Sequence, residues 1–333
     1  MKTNGFREIL VKYGIYFVLV ALIALFAILK PRAFMSQENI FNILRQIAVV
    51  GIAAAGMTCV LISGGIDLSV GSTIGLVGVI TALFISPGKG WGLGLPLGIL
   101  AGLICGLIIG IVNGFIVNKL KLVPMIGTLG VMTSLRGAAY LITDGRPIFG
   151  FPKGFEIIGQ GYAWIIPIPV IIMVVVFIMT YIMLNKLRIG RYIYGVGGNE
   201  EASRLSGIDV NKEKYFVYTY CGFCCAIAGI VLLSRTNSGT PRAGTNYEME
   251  IITAVVLGGV SIKGGEGKIT GVIAGVLIIG ILANGMIILG LSEYFQRVIQ
   301  GLVLIAAVAF DMYAKQIKSK TTRDEIDKVT QQA

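Results

Sequence analysis

The chain has 333 residues, no histidine, 28 Lys and Arg against 17 Asp and Glu, and a mean hydropathy of +0.84. Charged residues are 14% of it and hydrophobic residues 55%, whereas a soluble domain is about a quarter charged. Polar groups cannot cover so much apolar surface, so lipid is the expected solvent and the fold class is an all-α polytopic membrane protein. The missing histidine removes the commonest zinc ligand and the commonest general base, so no metal site and no catalytic residue is expected.

The first apolar run, Tyr13–Leu29, follows Lys2, Arg7 and Lys12. No small-residue cleavage site intervenes before Lys30, Pro31 and Arg32, so it reads as an uncleaved crossing and not as a signal peptide. From Gln46 to Gly88 the only charge is Asp67, and that stretch predicts crossings two and three, broken near Ser63–Ser69. Gly90–Asn118 supplies a loop tip and the fourth crossing, and Val123–Leu141 the fifth, interrupted by Arg136. Ile165–Asn185, Tyr215–Leu233, Tyr247–Ile262, Thr270–Leu289 and Phe295–Phe310 complete the set. At about 20 residues per crossing the range is about eight to ten, with about ten helices as the central reading.

Charge bias sets the direction. With both termini cytoplasmic and ten alternating crossings, cytoplasmic segments hold 18 of the 28 Lys and Arg and external segments nine. That excess is the positive-inside pattern, and it accounts for the net charge of +11 without nucleic acid. Residues 1–314 then form one transmembrane domain, 186–214 a cytoplasmic loop within it, and 315–333 a polar cytoplasmic tail. An external loop from Asp144 to Trp164, with Pro147 and Pro152, is expected to be irregular.

Two glycine clusters interrupt the apolar runs. Gly64, Gly65 and Gly71 stand between crossings two and three, and Gly264, Gly265 and Gly267 between eight and nine. At an offset of 200 residues Gly64, Gly65, Gly71 and Gly75 align with Gly264, Gly265, Gly271 and Gly275, as in an internal repeat. Dense glycine also serves close helix packing in lipid. Asp67 has two readings: an acid at membrane depth with a functional role, or a cap on the following helix together with Ser69. Cys221, Cys224 and Cys225 form a CxxCC group in an uncharged run, where small packing residues are the simpler reading than a redox or metal site.

Gly267-Lys268 resembles part of a phosphate loop but fails its spacing, because Ile262 stands where glycine is needed and Ile269 where Ser or Thr is needed. The cytoplasmic loop carries a sharper signal. Asn199 follows Gly197-Gly198 and can cap a short helix, with Glu200 and Glu201 at its positive end. Arg204 is placed to pair with Glu200, and Gly207 to end the helix in a left-handed turn. Asn199–Ser206, including Ala202 and Leu205, thus predicts a short charged helix, either a solvated connector or a docking surface.

Three stretches resemble a known family: GMTCVLISGGIDLSVGS (Gly56–Ser72), GRYIYGVGGNEEASRLSGIDVNK (Gly190–Lys212) and AVVLGGVSIKGGEGKITG (Ala254–Gly271). They are similar to permease subunits of bacterial ATP-binding-cassette importers for simple sugars, and most closely to those for ribose. NIFNIL (Asn39–Leu44) and Ala243–Glu250 also fit, so the resemblance covers nearly the whole chain. It implies ten helices in the bacterial cytoplasmic membrane, a homodimer of permeases, a separate cytoplasmic ATPase that binds the ATP, and an extracytoplasmic sugar-binding protein. It implies that the helix beginning at Asn199 couples to the ATPase through Asn199, Glu200, Glu201, Ala202, Arg204, Leu205 and Gly207. For an uncharged sugar, Asp67, Ser69, Asn113 and Asn284 are the polar candidates for the path. The CxxCC group and the tail after Lys320 are not expected from the family. The alternatives are an importer for another pentose or hexose, a nucleoside or a branched-chain amino acid, and an ion-driven secondary transporter.

Overall fold

A computed structural model describes residues 3–309 and 312. In chain order the helices are α1 (Thr3–Leu29), α2 (Pro31–Phe34), α3 (Gln37–Ile62), α4 (Val70–Ile85), α5 (Leu95–Asn118), α6 (Pro124–Thr143), α7 (Glu156–Gln160), α8 (Ile168–Lys186), α9 (Arg188–Gly198), α10 (Glu200–Leu205), α11 (Val210–Thr236), α12 (Tyr247–Leu257) and α13 (Ile269–Ile288). A further helix, α14, runs over 293–309. β1 (Tyr162–Ala163) and β2 (Ile166–Pro167) form a small antiparallel hairpin in the loop before α8, with Tyr162 opposite Pro167. The polar tail 315–333 and Phe310, the expected end of the tenth crossing, lie outside the described residues.

Among the described residues, α3, α5, α6, α8, α11 and α13 are each long and apolar enough to cross a membrane. Their ends are set locally. Proline stands in the first turn of α5, α6 and α8, where its missing N–H would have had no partner. The Ser36 side chain caps α3 by accepting the Asn39 N–H. Asp144 and Asn237 close α6 and α11 in the left-handed conformation.

The bundle is built around α3 and α11. Nearly every residue of α3 from Ile47 to Ile62 is buried, which a helix hydrophobic all round requires. α11 packs against α3, α4 and α5, with Gly106 and Gly110 of α5 in backbone contact with Gly222 and Ala226. Cys221 and Cys224 lie beside Gly56 of α3 in the same seam. All three CxxCC thiols are free and fully buried, which fits small side chains that let helices approach closely. The outer faces of α5 and α8 are aliphatic and exposed, as lipid demands.

Three expectations change. The stretch Tyr247–Ile262 is not a continuous helix, because α12 has 11 residues, about 16 Å, roughly half of a hydrocarbon core. Its other half is non-helical: residues 237–246 descend from the end of α11, passing Ala82 of α4 at Gly239 and Gly71 of α4 at Gly244. α4 has 16 residues, with the turn-rich break 63–69 before it. The loop Lys186–Lys214 holds a second helix, α9, before the expected one; Gly190, Ile193 and Val196 face the bundle while Arg188, Arg191 and Tyr192 are exposed. The loop 144–167 is partly ordered, by α7 and the hairpin.

Candidate coupling helix and helix breaks

Asn199 ends α9 and starts α10. Its side-chain oxygen accepts the Ala202 N–H at 2.9 Å, and its extended backbone turns the chain sharply between the two helices. Glu200 accepts from Arg204 at 3.2 Å and from Lys214 at 2.6 Å, so one carboxylate holds α10 together and ties it to the first turns of α11. Gly207, at φ +83°, ends the element. Glu201 is exposed, and Leu205 is 90% exposed on a helix whose neighbours are charged. Asn199→Ala should cost about 1 kcal/mol of local helix stability; faster hydrogen exchange at the Ala202 amide, with the bundle unchanged, is the expected readout.

Behind α10, three backbones meet with no side chains between them. A Cβ on Gly264 would stand 2.8 Å from the Gly197 carbonyl oxygen and 2.8 Å from the Gly64 Cα. A Cβ on Gly197 would overlap the Ile62 carbonyl oxygen. That oxygen accepts the Gly265 N–H at 2.8 Å. Tyr194 of α9 donates its hydroxyl to the Gly267 carbonyl at 2.8 Å. Burial raises the Tyr194 phenol above its ordinary pKa, so it remains a donor at neutral pH. The end of α9 is therefore bonded and packed to both glycine breaks. Gly64 and Gly264, aligned by the offset in sequence, are also neighbours in space. Beside this junction lies a cavity of about 220 Å³, bordered by Gly64, Gly65, Gly197, Asn199, Glu200 and Lys214.

The four polar candidates fall in two places. Asp67 is 2% exposed, and its carboxylate accepts from the Ser69 N–H (2.8 Å), the Ser69 hydroxyl (2.6 Å) and the Asn113 Nδ2 (3.0 Å). Asn113 also donates to the Ser69 hydroxyl at 2.8 Å. This buried network joins the first break to α5 and holds the Ser69 N–H just ahead of α4, while no side chain caps the helix itself and the Asn113 Oδ1 has no partner among the described residues. Thr128 of α6 adds a bond from the Leu68 N–H, and the Tyr218 hydroxyl of α11 donates to Ile66 O. Asn284 lies elsewhere, paired reciprocally with Asn39 at 2.9 and 3.1 Å, locking α13 to α3.

Sequence reasoning treated Arg136 only as an interruption of α6. Its Nη1 donates to the carbonyls of Pro241 and Ala243, both at 2.7 Å. Irregular backbone in a membrane must have its polar groups satisfied by the protein or by water, and Arg136 supplies this to the non-helical half of the α12 crossing. The segment lies close because α4 offers glycine: a Cβ on Gly75 would stand 2.6 Å from the Ala243 oxygen. The available signal was a lone cation in an uncharged run, paired with the Pro241 that forbids helix at the other end.

Apolar helices long enough to cross a membrane, glycine breaks braced by buried polar groups and a capped helix standing off one face define a multi-pass membrane protein. The chain belongs to the family described as "Branched-chain amino acid transport system / permease component", whose model matches residues 39–308. It is 44% identical to the Ribose import permease protein RbsC of Bacillus subtilis, over 93% of this chain and 95% of that one. It is 43% identical to the protein of the same description from Haemophilus influenzae, over 94% and 97%. The L-arabinose transport system permease protein AraH of Escherichia coli is 41% identical over 94% of each chain. No solved structure matches the chain.

Proposed function

We propose that the chain is the membrane subunit of an ATP-driven importer that passes a simple sugar, ribose, across the bacterial cytoplasmic membrane by alternating access. The observation that carries this is the 43–44% identity to ribose import permeases across nine-tenths of both chains. In this reading residues 1–314 are one transmembrane domain with ten crossings and both termini cytoplasmic, and it works as a homodimer. ATP is bound by a separate ATPase that docks on α10, and an extracytoplasmic sugar-binding protein delivers the solute from the other side. The chain itself is not an enzyme and needs no cofactor. Closure of the ATPase pushes α10, and the junction at Gly64, Gly197 and Gly264 passes that motion to both breaks. Asp67, Ser69 and Asn113 hold the first break in one arrangement, Asn284 braces α13, and each meets solute only when its contacts part.

The test is uptake of labelled ribose by proteoliposomes holding the permease, its ATPase and its binding protein. Uptake should require ATP. Uptake that proceeds without ATP and collapses with an uncoupler would instead define an ion-driven transporter. The double change Glu201→Lys with Arg204→Glu exchanges the signs of two exposed positions on α10 at unchanged net charge and should abolish ATP-driven uptake while insertion persists; normal uptake would remove α10 from the coupling. A different sugar is the second reading, because permeases described for arabinose (41% identical) and allose (36%) align over a similar extent. Competition by those sugars against ribose decides it.

A further inference from the structure

Arg136 lies seven residues before the end of α6 and twelve after its start, about 10 Å and about 18 Å along the axis. The segment it anchors therefore runs at membrane depth. Gly239 fixes the outer end of that segment by exchanging two backbone hydrogen bonds with Ile148 (2.9 and 3.0 Å), and Gly244 fixes the inner end against Gly71. Between them Arg242 is exposed, and its guanidinium has no hydrogen-bond or ion-pair partner among the described residues. Thr245 is exposed one turn on, its hydroxyl donating to the Arg242 carbonyl at 2.6 Å.

An exposed, unpaired guanidinium is costly against hydrocarbon, and at membrane depth such residues face the bundle interior or a water-filled cavity. Non-helical backbone at that depth is held to the same rule. α12, with 11 residues, spans only part of the membrane as a helix, and this segment continues the crossing. We propose that residues 240–246 wall a water-filled solute path, with Arg242 and Thr245 facing it and offering donors to the hydroxyl groups of a neutral, polyhydroxylated solute. The inference rests on the transport reading, and it moves the path from the buried Asp67 network to the segment packed on Gly71.

The test is labelling of the full chain in proteoliposomes by a membrane-impermeant, charged thiol reagent added at the face opposite α10. Four of the five native cysteines are buried and the fifth partly so, which keeps the background low. Thr245→Cys and Arg242→Cys should react at least about tenfold faster than Ile108→Cys, at mid-length on the exposed aliphatic face of α5. Arg242→Cys removes no side-chain hydrogen bond or ion pair among the described residues, so it serves if Thr245→Cys fails to insert. Rates equal to that of Ile108→Cys would overturn the proposal and place the segment in a dry contact. The measurement uses neither ATPase nor sugar, so its outcome is separate from that of the uptake assay.

Discussion

Gly197→Ala is expected to reduce ATP-driven uptake at least about tenfold, while Gly198→Ala leaves it nearly unchanged. The two residues are adjacent at the end of α9, and both add one methyl group. A Cβ on Gly197 overlaps the Ile62 carbonyl oxygen and comes within 2.7 Å of the Gly265 nitrogen, the two atoms joined by the hydrogen bond between the breaks. A Cβ on Gly198 meets nothing within 4 Å. Forcing a methyl group into packed backbone costs about 1–3 kcal/mol, and here the strain falls where α9 meets both breaks. ATP hydrolysis by the assembled complex should persist in Gly197→Ala, because the Glu200 and Asn199 contacts of α10 remain. Hydrolysis without uptake is the signature of a broken link; equal uptake by both variants would mean that the junction only fills space. Tyr194→Phe, which deletes the single bond to Gly267 O, should act in the same direction by about 1 kcal/mol.

Arg136→Met should be the most destabilising single change in the membrane. It leaves the Pro241 and Ala243 carbonyls without their donor. Hydrogen bonds from a charged group contribute about 1.5–3 kcal/mol each, so the loss is about 3–6 kcal/mol. Thermal unfolding in detergent should show a lower midpoint and a smaller folded fraction. Arg136→Lys keeps the charge but loses the planar guanidinium, and it should fall between the two. A Met variant as stable as the parent would mean that water already satisfies both carbonyls.

The class of protein was legible in composition, because a chain with so few charges has only lipid in which to fold. Local signals within the cytoplasmic loop were equally legible. The Asn199 cap, the Glu200–Arg204 pair and the turn at Gly207 each depend on residues within five positions of one another, and the structure contains all three. α9 escaped notice because its apolar face is built from Gly190, Ile193 and Val196, a pattern that two arginines and several glycines obscure.

Amino-acid order by itself determined that the chain folds into apolar helices long enough to cross a membrane and where two glycine breaks fall, since hydropathy, proline and glycine act over a few residues. Only the tertiary structure decided what those breaks do. Nothing near Gly64 in sequence says that it abuts Gly264 and the end of α9, nor that Arg136 supports carbonyls more than a hundred positions away. Such contacts form between backbones that approach because side chains are absent, and an absent side chain leaves no mark that identifies its partner.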